Sequence, residues 1–337
     1  MDSHYKYIRQ LFHSGTFNGQ AIRGKLIETH ISWVIITDKY AFKIKKGLKL
    51  PFLDYSSLQK RESGCRKEVE LNSRYTDIYL KVVPIKKAGE HLFIGEGKGE
   101  IIDFAVQMKK LQEAKKMDNQ LANNRVDTSQ IKLLAQKIAF FHQSAPTINT
   151  PFNLQKAQLD FNDIQKQTSW IKKHLGVGYF DKVHQSIRYS NDFLNEHSSL
   201  FEKRIYAGYQ RDLHGDLHCG NIFLYKEPVL FDCIEFNTTF RQIDILNEIA
   251  FLTMDLEVRG FPDFSLYFTQ CYFQEFPLTA SDDTLQLLNY YKCYRANIRA
   301  KVHCIRAQQL GSTEALNLAL QNVNKYLDWM YLYSQKY

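Results

Sequence analysis

The spacing of apolar and polar positions changes once along the chain. From about Lys25 to Lys110, short β-branched or aromatic runs are bounded by Gly, Asp and Lys turns: Trp33-Val34-Ile35-Ile36, Tyr40 to Lys45, Tyr79 to Ile85, His91 to Ile94 and Ile101 to Met108. Runs of that length and composition predict strands. One helix interrupts them over Ser56 to Arg74, rich in Glu, Arg, Lys and Leu, with the hydroxyls of Ser56 and Ser57 suited to cap it. Beyond Leu111 the period becomes helical. Asp127-Thr128-Ser129 caps a segment that sets Ile131, Leu134, Ala135, Ile138 and Phe141 or His142 on one face, and Phe193 to Gly208 repeats the period. Within this helical half, Ile222-Phe223-Leu224 and Val229-Leu230-Phe231 flank the turn Lys226-Glu227-Pro228 and predict a hairpin. From Asp244 onward the chain reads as helices again, including Leu285 to Arg306 and Thr313 to Tyr331. The pattern predicts an α+β protein with a strand-rich N-terminal lobe over 1–110 and a larger helical lobe over 111–337, joined near Lys109 to Gln112.

Composition narrows the class. With 337 residues and 44% apolar content, the chain can bury a core and is neither disordered nor fibrous. No run approaches the roughly 18 apolar residues of a membrane helix, and Met1 to Lys6 lacks the basic and apolar regions of a secretory signal. A soluble cytoplasmic protein is expected. The six cysteines are scattered without a C-x-x-C pair and are expected as reduced thiols. The net charge of +8 suits polyanionic ligands, but its distribution argues against a nucleic-acid footprint. Basic clusters such as Lys43-Ile44-Lys45-Lys46 and Lys109-Lys110 lie in the first third. Asp232 to Glu257 holds six acids with Arg241 as its one basic residue. Such a division fits a phosphate site beside a metal site.

The stretch His214-Gly215-Asp216-Leu217-His218-Cys219-Gly220-Asn221, followed after the expected hairpin by Phe231-Asp232, carries the chemistry. Phosphoryl transfer from a nucleotide needs a carboxylate at the acceptor hydroxyl and oxygen ligands for Mg²⁺, because catalysis there is mainly positioning and charge neutralisation. Asp216 suits the first role. Asn221 and Asp232 suit the second, since two antiparallel strands bring residues 221 and 232 together.

The H-G-D-x-x-x-x-N loop with its downstream Asp resembles that of aminoglycoside phosphotransferases and other small-molecule kinases sharing the protein-kinase-like fold. Glu28 to Val34, Tyr40 to Lys46, Phe52 to Ser56, Phe231 to Asn237 and Met254 to Glu257 are similar to the kinase-like part of bacterial "aminoglycoside phosphotransferase/ATP-binding" proteins. In that branch a P-loop ATPase domain often follows, but this chain has no G-x-x-x-x-G-K-[ST]. The resemblance implies a two-lobed fold and a Mg²⁺-dependent kinase using ATP, or GTP, with an acceptor hydroxyl on an aminoglycoside-like, sugar or other small molecule. It also implies that Lys43 is the strand lysine reaching the nucleotide phosphates, with Lys45 competing because it faces the same side. Glu68, or else Glu70, becomes the helix acid that holds it. Thr29 and Ser32, in the glycine-poor turn Glu28 to Ser32, are expected at the phosphates. Val106 to Lys110, including Met108, is expected against the adenine, and His214 is expected to brace the loop.

Two other classes compete. A zinc hydrolase could use His214, Asp216, His218 and Cys219 or Cys233, but would need neither Asn221 nor a distant strand lysine. A catalytically silent nucleotide-binding module would not need Asp216. Plainer readings compete residue by residue: Asp244 ties helix and loop together, and Tyr290, Tyr291, Tyr294, Arg295, Arg299 and Lys301 read as core aromatics beside a solvated basic stripe.

Overall fold

Strand alternation in the N-terminal region sends side chains into two separate cores. The computed structural model describes residues 3–50, 52–276, 281–310 and 312–335. The chain forms two units, one of Met1–Asn124 with Gly220–Arg241 and one of Arg125–Cys219 with Gln242–Tyr337. The change of period near residue 110 does not coincide with this division, because the first unit runs on to Asn124 and regains 220–241.

The first unit opens with helix α1 (Ser3–Ser14), which the sequence reading did not anticipate. Strands β1 (Thr16–Phe17), β2 (Gln20–Ala21), β3 (Lys25–Glu28), β4 (Ser32–Ile36) and β5 (Tyr40–Lys45) follow, then the small pair β6 (Lys49–Leu50) and β7 (Leu53–Asp54). Helix α2 (Leu58–Asn72), strands β8 (Tyr79–Ala88), β9 (His91–Ile94) and β10 (Glu100–Lys109), and the short helix α3 (Met117–Ala122) complete the N-terminal segment. Eight strands form one sheet in the order β2-β1-β9-β8-β10-β5-β4-β3, antiparallel except for β1 with β9. On one face Trp33, Ile35, Phe42, Ile44, Val83 and Ile85 pack with Ile8 and Leu11 of α1. Their alternates on the other face, Ala41, Val82, Val106 and Met108, pack with Cys65 of α2 and with Val229 and Phe231. Val229 lies in, and Phe231 directly follows, the hairpin Ile222–Leu224 and Pro228–Leu230, whose return strand begins one residue earlier than expected.

Helix α2 is capped as expected by Ser57, whose hydroxyl accepts the Lys60 N–H at 3.3 Å. Gly64 lets it sit close to the sheet. A Cβ there would lie 2.6 Å from the Tyr55 ring and 3.1 Å from the Lys45 chain, both held in place by their own polar partners. Gly64→Ala is therefore expected to destabilise the protein by about 1–3 kcal/mol through overpacking, outweighing the ~1 kcal/mol that alanine gains in a helix. The shift in denaturation midpoint checks this.

The α-helices of the second unit are α4 (Thr128–Ser144), α5 (Leu154–Asn162), α6 (Thr168–Leu175), α7 (Val177–Glu196), α8 (Ser198–Tyr206), α9 (Ile245–Val258), α10 (Pro262–Glu275), α11 (Asp282–Gln308) and α12 (Thr313–Ser334), beside a strand pair of Gln210–Asp212 with Gln242–Asp244. Asp127 and Gln130 form a capping box at the start of α4. The buried face of α4 carries His142 rather than Phe141, with His142 Nδ1 2.7 Å from the Tyr272 hydroxyl. The period expected over Phe193 to Gly208 is broken at His197, which separates α7 from α8. Helix α9 is buried almost all round, and Phe251, Met254 and Val258 join the main core with residues from α5, α7, α11 and α12. Among the described residues no helix is long and apolar enough to cross a membrane.

Candidate active site

In the first unit, strand alternation points Lys43 and Lys45 of β5 to one side, where α2 presents Glu68. Lys43 Nζ lies 2.7 Å from Glu68 Oε1 and 2.5 Å from Asp232 Oδ1, while Lys45 Nζ lies 2.7 Å from Glu68 Oε2 and also pairs with Glu235. One buried carboxylate thus serves both lysines. Burial alone would lower both ammonium groups, but Asp232 and Glu68 hold Lys43 well above its usual range, and Glu235 and Glu68 do the same for Lys45. Burial alone would raise the Glu68 carboxyl, which the two lysines bring down to about 2. Glu70 instead pairs with Lys67 on the exposed side of α2, at 2.9 Å.

The same helix fixes the segment after the hairpin. Asn72, one turn beyond Glu68, donates to the Glu68 carbonyl at 2.9 Å and accepts the Cys233 N–H at 2.8 Å. Asp232 adopts a left-handed backbone with φ of 65°, tolerated by aspartate better than by most residues, and its N–H donates to the Tyr79 hydroxyl at 3.0 Å. At the base of the hairpin the Phe231 N–H donates to the Asn221 carbonyl at 3.2 Å, which brings Asn221 and Asp232 together. The Asp232 side chain is 42% exposed. A carboxylate and an amide oxygen are the hard donors that Mg²⁺ selects, with water and phosphate completing its shell. Among the described residues no group of three or more His, Cys, Asp or Glu side chains is arranged to hold a metal, and all six cysteines are buried.

The turn at Thr29 to Ser32 closes on itself. The Thr29 hydroxyl accepts the Ser32 N–H and donates to the Ser32 carbonyl, both at 2.9 Å, whereas the Ser32 hydroxyl is buried with no hydrogen-bond partner among the described residues. At the end of β10 the Met108 side chain is buried with Ile78, Tyr79 and Val106. The next two N–H groups, of Lys109 and Lys110, donate to the carbonyls of Ile78 and Lys39.

In the second unit the loop holding Asp216 hangs from α9. Glu248 accepts the N–H groups of His214 and Gly215 at 2.7 and 3.0 Å, and Asp255, two turns on, accepts that of Cys219 at 3.0 Å. Burial pushes the Glu248 carboxyl up to about 7 against the pull of Arg295 and the two N–H donors. Arg295 donates to the Gly215 carbonyl at 3.0 Å and to the Asn247 side chain at 2.7 Å. His214 is fully buried, and its Nδ1 accepts the Asp216 N–H at 3.3 Å. His218 Nε2 stands 3.6 Å from Asp216 Oδ2. Burial alone would raise the Asp216 carboxyl, but His218 and Arg299 hold it below the usual carboxylate range. Asp244 caps α9 through the Leu246 N–H at 2.7 Å and binds Arg204 through both oxygens, so it ties helices together. Glu248 and Asp255 are the loop anchors that sequence reasoning missed; acids at 248, 255 and 257 in a largely apolar helix signal buried partners without naming them.

A strand-rich unit bearing a lysine–glutamate pair and a helical unit bearing the H-G-D loop define the protein-kinase-like two-lobed fold of small-molecule phosphotransferases. The chain has the fold of aminoglycoside 2′-phosphotransferase-IIIa, solved with GDP, at a TM-score of 0.51 and 14% identity over 97% of this chain and 99% of that one. It shares it equally with choline kinase from Cryptosporidium parvum, at a TM-score of 0.51 and 12% identity over 90% of this chain and 88% of that one. In sequence it is 30% identical over 304 residues to uncharacterized proteins of Mycobacterium tuberculosis and Mycobacterium bovis, a match that covers 88% of this chain and 57% of those relatives. No family model matches the chain.

Proposed function

We propose that this chain is a Mg²⁺-dependent phosphotransferase that moves the γ-phosphate of ATP, or of GTP, to a hydroxyl of a small molecule. The observation that carries the reading is Lys43, held between Glu68 and Asp232 in the strand-rich unit. A lysine fixed there by a helix acid is positioned for nucleotide phosphates. In this reading 1–110 is the nucleotide-binding lobe and 111–337 the catalytic and acceptor-binding lobe. The turn carrying Thr29 and Ser32 lies at the phosphates, and the segment around Met108 reads the base through its backbone. Asn221 and Asp232 would hold Mg²⁺, which would supply neutralisation of the phosphate charge. Asp216, braced by His214, orients the acceptor hydroxyl. The acceptor oxygen bonds to the γ-phosphorus as the bond from that phosphorus to the bridging oxygen breaks, and the hydroxyl proton passes to the Asp216 carboxylate.

Calorimetric titration of ATP and GTP, with and without Mg²⁺, tests the premise before the acceptor is known. Mg²⁺-dependent binding is expected for the unaltered protein and is expected to weaken at least about tenfold in Asp232→Ala, the scale of one lost charged contact. If neither nucleotide binds, the reading is wrong.

A further inference from the structure

We infer that the hydroxylated acceptor handled at Asp216 carries an anionic group rather than the ammonium of an amino sugar, an inference that rests on the phosphotransfer reading. The acids that would welcome a cation are already engaged. In the first unit Asp232 and Glu235 pair with Lys43 and Lys45. In the second, Asp244 binds Arg204, Glu248 and Asp255 hold the loop's N–H groups, and Glu257 accepts from Lys292, Ser265 and Tyr333.

Around Asp216 the balance is reversed. Arg295, Arg299, His303 and Arg306 follow one another along one face of α11 at helical spacing. The stripe starts on the loop, where Arg295 holds the Gly215 carbonyl. One turn on, Arg299 stands over the Tyr326 ring, with Nη2 3.4 Å from His303 Nε2. Burial, with Arg299 and Arg306 nearby, pushes His303 down to about 4, so it is neutral at physiological pH and adds no charge to the stripe. Both Arg299 and Arg306 lie within electrostatic reach of Asp216, and Asp255, a second carboxylate near Arg299, is bound by Arg259 at 3.0 Å. The Arg299 Nε is buried and has no hydrogen-bond partner among the described residues, whereas Arg306 at the far end of the stripe is exposed. A buried donor without a partner is costly unless a ligand oxygen completes it, and a guanidinium fork matches phosphate or carboxylate. The stripe is therefore a polar recognition surface rather than the solvated one expected from sequence.

Three 1,3-propanediol derivatives that differ only in the substituent on the central carbon (phosphate, amine or hydroxyl) test this by calorimetry at fixed salt: β-glycerophosphate, serinol and glycerol. β-Glycerophosphate is expected to bind at least about tenfold more tightly than serinol or glycerol, and to lose about tenfold in Arg299→Gln and in Arg306→Gln. Arg306→Gln, at an exposed position, separates ligand loss from any fault in folding. The inference is overturned if serinol binds as well as the phosphate, if β-glycerophosphate does not bind, or if both variants bind it like the unaltered protein. A parallel Mg²⁺–ATP titration tells the two readings apart: no nucleotide binding sinks the phosphotransfer reading, while nucleotide binding with a preference for serinol sinks only the anionic acceptor.

Discussion

Asp216→Asn is expected to slow phosphoryl transfer about 10³-fold, the range seen when a positioned acid–base group is lost, while Mg²⁺–nucleotide affinity is unchanged. Asparagine keeps the size of the side chain and can still meet His218, but it has no negative charge to orient a hydroxyl and accepts no proton. The carboxylate it replaces is ionised throughout the neutral range, because His218 and Arg299 overcome the opposing effect of burial. A depressed carboxyl stabilises the fold above its ordinary pKa, and that contribution is lost only as pH falls through the depressed value. Asp216 should therefore leave no acid limb in the rate profile between neutral pH and the acid unfolding transition. ADP release followed over pH, together with calorimetry on the same variant, measures both halves. A variant that transfers phosphate at the normal rate would remove Asp216 from the mechanism.

Glu68→Gln carries the second large effect, this time on stability. The amide matches the carboxylate in shape, so the change isolates charge at a fully buried position that serves Lys43 and Lys45 at 2.7 Å each. Breaking a buried pair by neutralising one partner costs about 3–5 kcal/mol. The two lysines hold the carboxyl well below its usual range against the effect of burial, which gives the same sign. The sign follows from the direction. This stabilisation is present above pH 4.5 and disappears as pH falls toward 2, so the variant should lose stability at neutral pH and show a weaker acid dependence. Denaturant titration of the protein at neutral and acid pH checks it. A change below about 0.5 kcal/mol, the size of an ordinary surface substitution, would mean the lysines find other partners at no cost.

The strands, α2 with its cap, the capping box at Asp127 and the hairpin were readable because each is specified by neighbouring residues: alternation, a hydroxyl before a helix, a turn between two apolar runs. Alternation also put Lys43 and Lys45 on one side but could not choose between them. The structure shows why, since Glu68 binds both. Features that depend on distant partners were less accessible. Nothing near Glu248 or Asp255 announces that each holds backbone N–H groups of a loop more than thirty residues upstream. Arg295 and Arg299 looked like a solvated stripe because helical period reports which residues share a face, not what that face meets. The acids from Asp232 to Glu257 looked like one charged region, whereas chain folding distributes them over two units and gives each its own partner.

The way the Asp216 loop is suspended sets how the protein should fail on heating. Its anchors belong to α9, a helix enclosed by the core of the second unit, so the loop cannot loosen while that helix holds. Peripheral loops commonly melt well before the body of a protein and take activity with them. Here the Asp216 carboxylate is expected to keep its place until the second unit itself comes apart, so loss of the loop and loss of that unit's structure share one temperature.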